Sequence, residues 1–383
     1  MKKLYITLCF MLAGMAVTAQ DKSTAEADKL YARFEYVDAA KAYQDVKDKT
    51  PYVYKMLGDS YYNVFNSKEA VKWYAEATKT PQDAETYYRY AQMLKAEGRY
   101  ADANAQMRKF AQMAPSDQRA VTFMKDPDYL PKLKNQAKLF DEKVLDINDK
   151  KYGSFGPVLT NDNTFYFTSS RNEARRTYGA NEEPYLDIYQ ATYNADGSFS
   201  EPVPLASVNS KWHDGPVAVT ADGNTMYFSS ESFKERKEYE VDKENYLKVG
   251  QVFLFRATRQ NGEWGDIQPV PFNDKRWSTG NPSISKDGKT LYFASDREGS
   301  MGGSTDIWKV EVTGNNTYGE PVNLGPKVNT EGKDNYPFIT DDNKLYFSST
   351  GRPGFGSYDI YVIDLAKGTA AEAKNVGLPV NSG

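Results

Sequence analysis

Residues 281–308 read NPSISKDGKTLYFASDREGSMGGSTDIW. Asp287-Gly288 marks a tight turn, because a two-residue hairpin needs positive φ and both residue types tolerate it. Leu291, Tyr292 and Phe293 are β-formers, and Asp306-Ile307-Trp308 opens a further strand. The stretch is therefore two short strands joined by a turn, then a loop, then a third strand. The same unit recurs as Phe165-Tyr166-Phe167, Met226-Tyr227-Phe228 and Leu345-Tyr346-Phe347. A proline lies upstream of each tyrosine, at Pro157, Pro216, Pro282 and Pro337, and an Asp- or Asn-bearing turn precedes each core. Downstream, Asp187-Ile188-Tyr189 and Asp359-Ile360-Tyr361 match Asp306-Ile307-Trp308, whereas the second copy departs with Gln251-Val252-Phe253.

A period of roughly 50–65 residues with about four strands per unit is the signature of a β-propeller. In the second copy the strands are expected innermost at 217–220, then 225–229, 252–257 and 268–272. Each outer strand leads into an Asn: Asn148, Asn209, Asn273, Asn329 and Asn381. Five such endings stand against four aromatic cores, so the expectation is a propeller of at least four blades over residues 139–383, cut short of a longer sequence. In this strand order the second-to-third loops and the outer-to-inner connections share one face. Two of the loops are long, at residues 171–186 and 232–250. That face gathers Arg175, Arg176, Tyr178, Trp212, His213, Arg276, Trp277 and Tyr336. Aromatics interleaved with arginine suit protein contact, and would also stack on a sugar ring. The alternative is that Trp212 and Trp277 cap the blade core and the charged inserts are solvated.

Upstream, residues 1–19 carry Lys2 and Lys3, an apolar run and a small-residue Val17-Thr18-Ala19 end, the pattern of a secretory signal peptide. Cys9, the only cysteine, lies inside it, which leaves the processed chain no disulfide or thiolate chemistry. The formal charge of −4 gives no support for nucleic-acid binding, and 14% aromatic residues are ample for a core. Residues 20–125 have helical period. The pairs Ala39…Tyr43, Ala70…Tyr74 and Ala103…Met107 recur, with Pro51, Pro81 and Pro115 closing the units. Small residues let helix backbones approach while the aromatic covers the gap. The pattern resembles the tetratricopeptide repeat. That likeness puts Asp28, Tyr31, Tyr52, Lys55, Asp59, Tyr62, Tyr88, Gln92 and Lys95 on a concave, peptide-binding face. The alternative for each is an ordinary solvated helix position. Residues 126–138 read as a linker. The fold class expected is α + β and multidomain.

Chemistry is sparse. His213 is the only histidine, and no G-x-S-x-G elbow accompanies it. Zinc lacks ligands, and no EF-hand spacing occurs. Residues 285–290 are a poor match to the sialidase aspartate box, and the Gly-rich run at 299–304 lacks a P-loop lysine. The expectation is no catalytic set, no cofactor and no metal, hence a chain that is not an enzyme.

The leader ending Thr-Ala-Gln, the helical repeats, and the cores Y-F-S-S and D-I-Y/W in that order resemble one family. It is that of the periplasmic OmpA-family proteins of Bacteroidetes with TolB-like propeller repeats, including the peptidoglycan-associated component of type IX secretion. The resemblance implies a periplasmic, outer-membrane-associated scaffold with protein partners in the export or gliding machinery. Peptidoglycan would be held in that family by a C-terminal OmpA-like domain, which this sequence does not include. A glycan-binding envelope protein serving wall anchoring or uptake is the other reading.

Overall fold

The computed structural model describes residues 23–235, 239–243 and 247–382. The signal peptide expected at 1–19 lies outside them. Eight α-helices come first: α1 Ala25–Ala32, α2 Tyr36–Asp45, α3 Pro51–Asn63, α4 Ser67–Ala77, α5 Ala84–Ala96, α6 Tyr100–Met113, α7 Gln118–Lys125 and α8 Leu130–Lys134. Side-chain oxygens cap four of them. Thr50 accepts from the Val53 N–H, Asn66 from Glu69, Asp83 from Thr86 and Asp117 from Arg119. Pro51 opens α3 instead of closing the unit before it, because the first helical N–H has no partner to lose. α1–α2, α3–α4 and α5–α6 pack as consecutive pairs. Between α3 and α4, Gly58 lies against the Tyr74 ring; a Cβ there would stand 2.5 Å from it. Tyr43, Tyr74 and Met107 fill the layers beside Ala39, Ala70 and Ala103, all nearly or fully buried. The stretch read as a linker contains α8.

Four blade-like antiparallel sheets follow in a propeller-like arrangement. Blade 1 has strands Ser154–Leu159, Thr164–Ser169, Asp187–Thr192 and Val203–Pro204. Blade 2 has Asp214–Val219, Thr225–Glu231, Val252–Gln260 and Glu263–Pro269, so its outer strand begins five residues before the expected 268. Blade 3 has Thr279–Ile284, Thr290–Ser295 and Asp306–Gly314, with Thr317–Tyr318 and Val322–Asn323 both pairing with the last of these. Blade 4 has Asp334–Ile339, Lys344–Ser349, Asp359–Asp364 and Lys374–Asn375. The inner strands of successive blades lie beside one another.

The repeated residues have repeated structural jobs. Each inner strand is bulged immediately before its proline, with positive φ at Gly156, Gly215, Asn281 and Tyr336. Proline has no N–H for the ladder and is confined to such places. In each hairpin turn a hydroxyl donates to the turn aspartate: Thr160 to Asp162, Thr220 to Asp222, Ser285 to Asp287 and Thr340 to Asp342, at 2.5–2.6 Å.

The Asn after each outer strand clasps its own blade's third strand. Its Oδ1 accepts the backbone N–H, and its Nδ2 donates to the C=O, of Ile188 (Asn209), Leu254 (Asn273), Ile307 (Asn329) and Ile360 (Asn381). A cation then ties each blade to the segment before it. Arg171, Lys234, Arg297 and Arg352 donate to the carbonyls of Ile147, Val208, Phe272 and Val328, and each lies over the aromatic rings of its own blade. Between blades 4 and 1, Tyr336 meets Phe155 edge-on at 6.0 Å and Tyr346 meets Phe140 at 6.2 Å.

Candidate functional site

The helices do not stand apart from the propeller; among the described residues they touch it at two places. At one, Lys41 of α2 pairs with Glu182 in the long loop of blade 1 at 2.7 Å, and Glu35 adjoins Gly179. At the other, the Tyr88 hydroxyl of α5 donates to the carbonyl of Thr350, Gln92 donates to the same oxygen at 3.3 Å, and Tyr129 donates to Gly354 at 2.8 Å. Nearby the Gln118 N–H donates to Glu331, and Phe65 packs on Tyr358 with ring centroids 6.3 Å apart. The seam at blade 4 leaves a void of only about 10 Å³, at the lower limit of what holds one water.

Between these two anchorages the helical face looks onto the propeller face. Burial raises the Tyr178 phenol, and Tyr36 of α2 is close enough to add to it. Burial likewise raises Tyr358, helped by Tyr336 on its own blade and by Tyr62 and Tyr88 from the helices. The Lys333 ammonium is lowered by burial and then by the Arg89 guanidinium opposite. Tyr178 and Tyr336 nevertheless keep 37% and 44% of their surface open. We read the space between them as a cleft, with Tyr31, Tyr36, Tyr62 and Arg89 on its helical side and Tyr178, Tyr336, Tyr358 and Lys333 on its propeller side.

The helical residues singled out in the sequence divide by this geometry. Tyr31 and Tyr62 line the cleft; Tyr62 lies under the Arg89 guanidinium at 5.3 Å. Asp59 is 2% exposed and serves as a hub, bonded to the Tyr74 hydroxyl at 2.7 Å and to Arg89 at 3.1 Å, with Lys55 at 3.3 Å. It aims Arg89 instead of meeting a partner itself. Tyr52 donates to Asp28 at 2.7 Å and is largely exposed. Tyr88, Gln92 and Lys95 are buried at the seam with blade 4, where the Lys95 ammonium lies over the Tyr129 ring.

Among the propeller residues, Arg175, Tyr178, Trp212 and His213 come together. Arg175 donates to the Trp212 carbonyl at 2.8 Å and lies 3.4 Å from Asp187, while Trp212 packs on Phe233 at 5.0 Å. Arg176 is exposed beside them. Arg276 and Trp277 form a separate pair between blades 2 and 3, with the guanidinium 4.2 Å over the indole and bonded to Asp274. Tyr336 stands on blade 4. Sequence reasoning missed Arg89, Lys333, Tyr36 and Tyr358. Each is an ordinary surface residue type, and only tertiary placement sets it in the cleft. A separate open recess of about 530 Å³ on blade 1 is lined by Asp149, Lys151, Tyr152, Arg171, Glu173 and Tyr189 among others. Among the described residues no group of His, Cys, Asp or Glu could hold a metal ion, and no helix is long and apolar enough to cross a membrane.

No family model matches the chain, and no curated protein does. Solved structures similar to it include a TolB-like protein from Agrobacterium tumefaciens, at 13% identity and a TM-score of 0.33, covering 56% of this chain and 61% of that one. A thermostable family-43 glycoside hydrolase matches at 12% identity and a TM-score of 0.35, covering 59% and 75%. A puromycin-hydrolysing peptidase of Mycobacterium tuberculosis matches at 15% identity and a TM-score of 0.33, covering 60% and 31%. The chain thus spans about three fifths of the TolB-like protein and under a third of the peptidase. At these identities the likeness is one of fold. One expectation is corrected here. The propeller is shared with a glycoside hydrolase, puromycin-hydrolysing enzymes and prolyl peptidases, so the reading of the chain as not an enzyme, drawn from motifs it lacks, is withdrawn.

Proposed function

We propose that this chain is an interaction scaffold of the bacterial periplasm, in which the cleft between helices and propeller grips an extended polypeptide segment. The observation that carries this is the facing of two tyrosine- and cation-bearing walls across one gap. Tyrosine supplies large contact area with few rotors to freeze, and arginine adds directed hydrogen bonds; both are enriched where partners bind most strongly. The helix pairs are read as tetratricopeptide-type repeats, whose concave face ordinarily takes a peptide. Here the propeller forms the opposite wall, so the two modules make one site and not two in series. The signal-like residues 1–19 support export to the periplasm. The proposed setting is the outer membrane, beside export machinery of the type IX kind.

The test is photo-crosslinking in cells from both walls, with a benzophenone amino acid at Tyr62 and, separately, at Tyr336. One partner captured from both positions, through neighbouring residues of one segment, is the expected result. Different partners from the two walls, or crosslinks from one wall only, would overturn the reading.

A further inference from the structure

At the blade 1–2 end of this cleft, Glu231 closes the second strand of blade 2 with its side chain 19% exposed. It is the last strand residue before the turn Ser232–Lys234. The equivalent position in blade 3, one residue past Ser295, is Asp296. Its carboxylate accepts the Ser278 N–H at 2.7 Å and lies open to solvent. Glu231 keeps the same backbone bond, to the His213 N–H, but its side chain is less exposed and lies near His213, Tyr178 and Tyr185. His213 is stacked on Tyr185 at 4.3 Å and met edge-on by Tyr178 at 4.5 Å.

The His213 tautomer is fixed. Nδ1 accepts the Leu186 N–H at 3.0 Å, so the imidazole proton is on Nε2. Nε2 lies 3.9 Å from Glu231 Oε1, beyond hydrogen-bond reach, and has no other partner. Burial and the Arg175 guanidinium lower this imidazole to about 4, so it is neutral near pH 7 and gives the carboxylate no charge. Arg175 itself is engaged by Asp187 and the Trp212 carbonyl. A partly buried carboxylate beside aromatic rings, with no cation paired to it among the described residues, is half of a recognition pair. The missing half is a positive charge, which gains from both the carboxylate and the ring quadrupoles.

We propose that Tyr178, Tyr185, His213 and Glu231 form a receptor for one cationic side chain, an ammonium or guanidinium, of the segment held in the cleft. This rests on the cleft reading and names the chemistry at one end of it.

Because His213 is the only histidine, its ring Cε1–H gives a single proton NMR signal on the whole chain. The probes are N-acetyl-lysine amide and N-acetyl-arginine amide, with the Nε-acetylated lysine as control. The signal should move saturably with one or both cations and stay still with the control. Which of the two binds more tightly tells lysine from arginine. Glu231→Gln, which keeps shape and removes charge, should weaken binding at least about tenfold, as should Tyr185→Leu, each with thermal melting showing an intact fold.

Burial first, then Asp214, pushes the Glu231 carboxyl up to about 7. Of the groups around it, the His213 imidazole is lowered and the phenols of Tyr178 and Tyr185 are raised, so these do not titrate in that range, while the buried Asp214 carboxyl is raised by burial. Affinity should therefore climb from about pH 6 to about pH 8 as the carboxylate ionises, and Glu231→Gln should flatten that climb. No saturable shift, an equal shift with acetylated lysine, or unchanged binding in Glu231→Gln would overturn the receptor. Converging crosslinks from Tyr62 and Tyr336 alongside a motionless His213 signal would sink the receptor and leave the cleft standing. A moving signal with diverging crosslinks would do the reverse.

Discussion

Among single side chains, the blade cations carry more than their surface chemistry suggests. Arg297 is 7% exposed, bonds Ser295, Thr279 and the Phe272 carbonyl, and lies over Phe272, Phe293 and Trp308. Arg297→Ala should cost about 2–4 kcal/mol in urea unfolding, through orphaned acceptors and a cavity beneath the rings. Arg297→Lys should cost clearly less, since blade 2 runs on Lys234 at this position. Equal losses in the two variants would refute the latch. Asp306 is a second case. It is buried, accepts from Met301 and Asn323, and has its Oδ1 unpartnered. Burial pushes it up to about 6, against an ordinary value of 3.8. A carboxyl raised by folding stabilises the fold most below its unfolded value, and that stability is lost as pH rises through the folded one. Between about pH 4 and about pH 6 the chain should therefore melt higher as the solution is acidified, by on the order of 3 kcal/mol at most from this group. Asp306→Asn should remove that part of the slope. The turn aspartates Asp222 and Asp287 are lowered by their hydroxyl and backbone donors, and Asp342 by the Lys344 ammonium and then the Thr340 hydroxyl. They act the other way, and destabilise the fold below about pH 4.

At the level of strands and helices, the inner-strand bulge shows what a repeat reveals and what it hides. Three blades fill the positive-φ position with Gly156, Gly215 and Asn281, residues suited to it; blade 4 uses Tyr336. An aromatic residue there is strained by about 1–2 kcal/mol, and such outliers gather at sites of function. Tyr336→Asn should leave stability within about 1 kcal/mol of the parent, relief of strain offsetting the lost Phe155 contact, while partner capture falls. The reverse change, Asn281→Tyr, adds the strain and breaks the bond from Asn281 Nδ2 to Asn335 at 2.5 Å. It should cost about 2 kcal/mol or more by chemical unfolding. Much of this fold was legible in the sequence, because a residue serving the same backbone purpose in every blade recurs at a fixed offset. The prolines, the turn aspartates, the tyrosine cores and the clasping asparagines were all visible that way. The cation after each second strand was not. Its offset drifts from Arg171 and Arg297 to Lys234 and Arg352 as the intervening loop changes length, and its type changes once. The site was less legible still. Tyr88, Gln92 and Lys95 sit at the spacing of a concave face, and that spacing is silent on whether the chain's own propeller covers it.

For the molecule as a whole, the question is what holds helices and propeller in the register that makes the cleft. Two kinds of contact are available, and their magnitudes differ. Lys41–Glu182 joins side chains that are 59% and 48% exposed, and a pair so hydrated contributes about 0–1 kcal/mol, less in salt. The hydroxyls of Tyr88 and Tyr129 are buried and reach backbone carbonyls of Thr350 and Gly354 that have left water to receive them. Removing the Tyr129 hydroxyl strands a buried acceptor, at about 1–3 kcal/mol, and removing that of Tyr88 leaves Thr350 only the longer bond from Gln92. The blade 4 seam should therefore fix the register, and the blade 1 contact should follow it. Lys41→Ala should leave amide hydrogen exchange around residues 349–356 unchanged. Tyr88→Phe combined with Tyr129→Phe should speed exchange there by about tenfold or more, while the inner strands of blades 2 and 3 keep their protection. The same double variant should broaden the distance distribution between labels placed on α2 and on the blade 1 loop, as the far end of the helical stack is freed. If Lys41→Ala loosens the molecule as much as the double variant does, the seam is not the anchor, and the cleft is set from its blade 1 end.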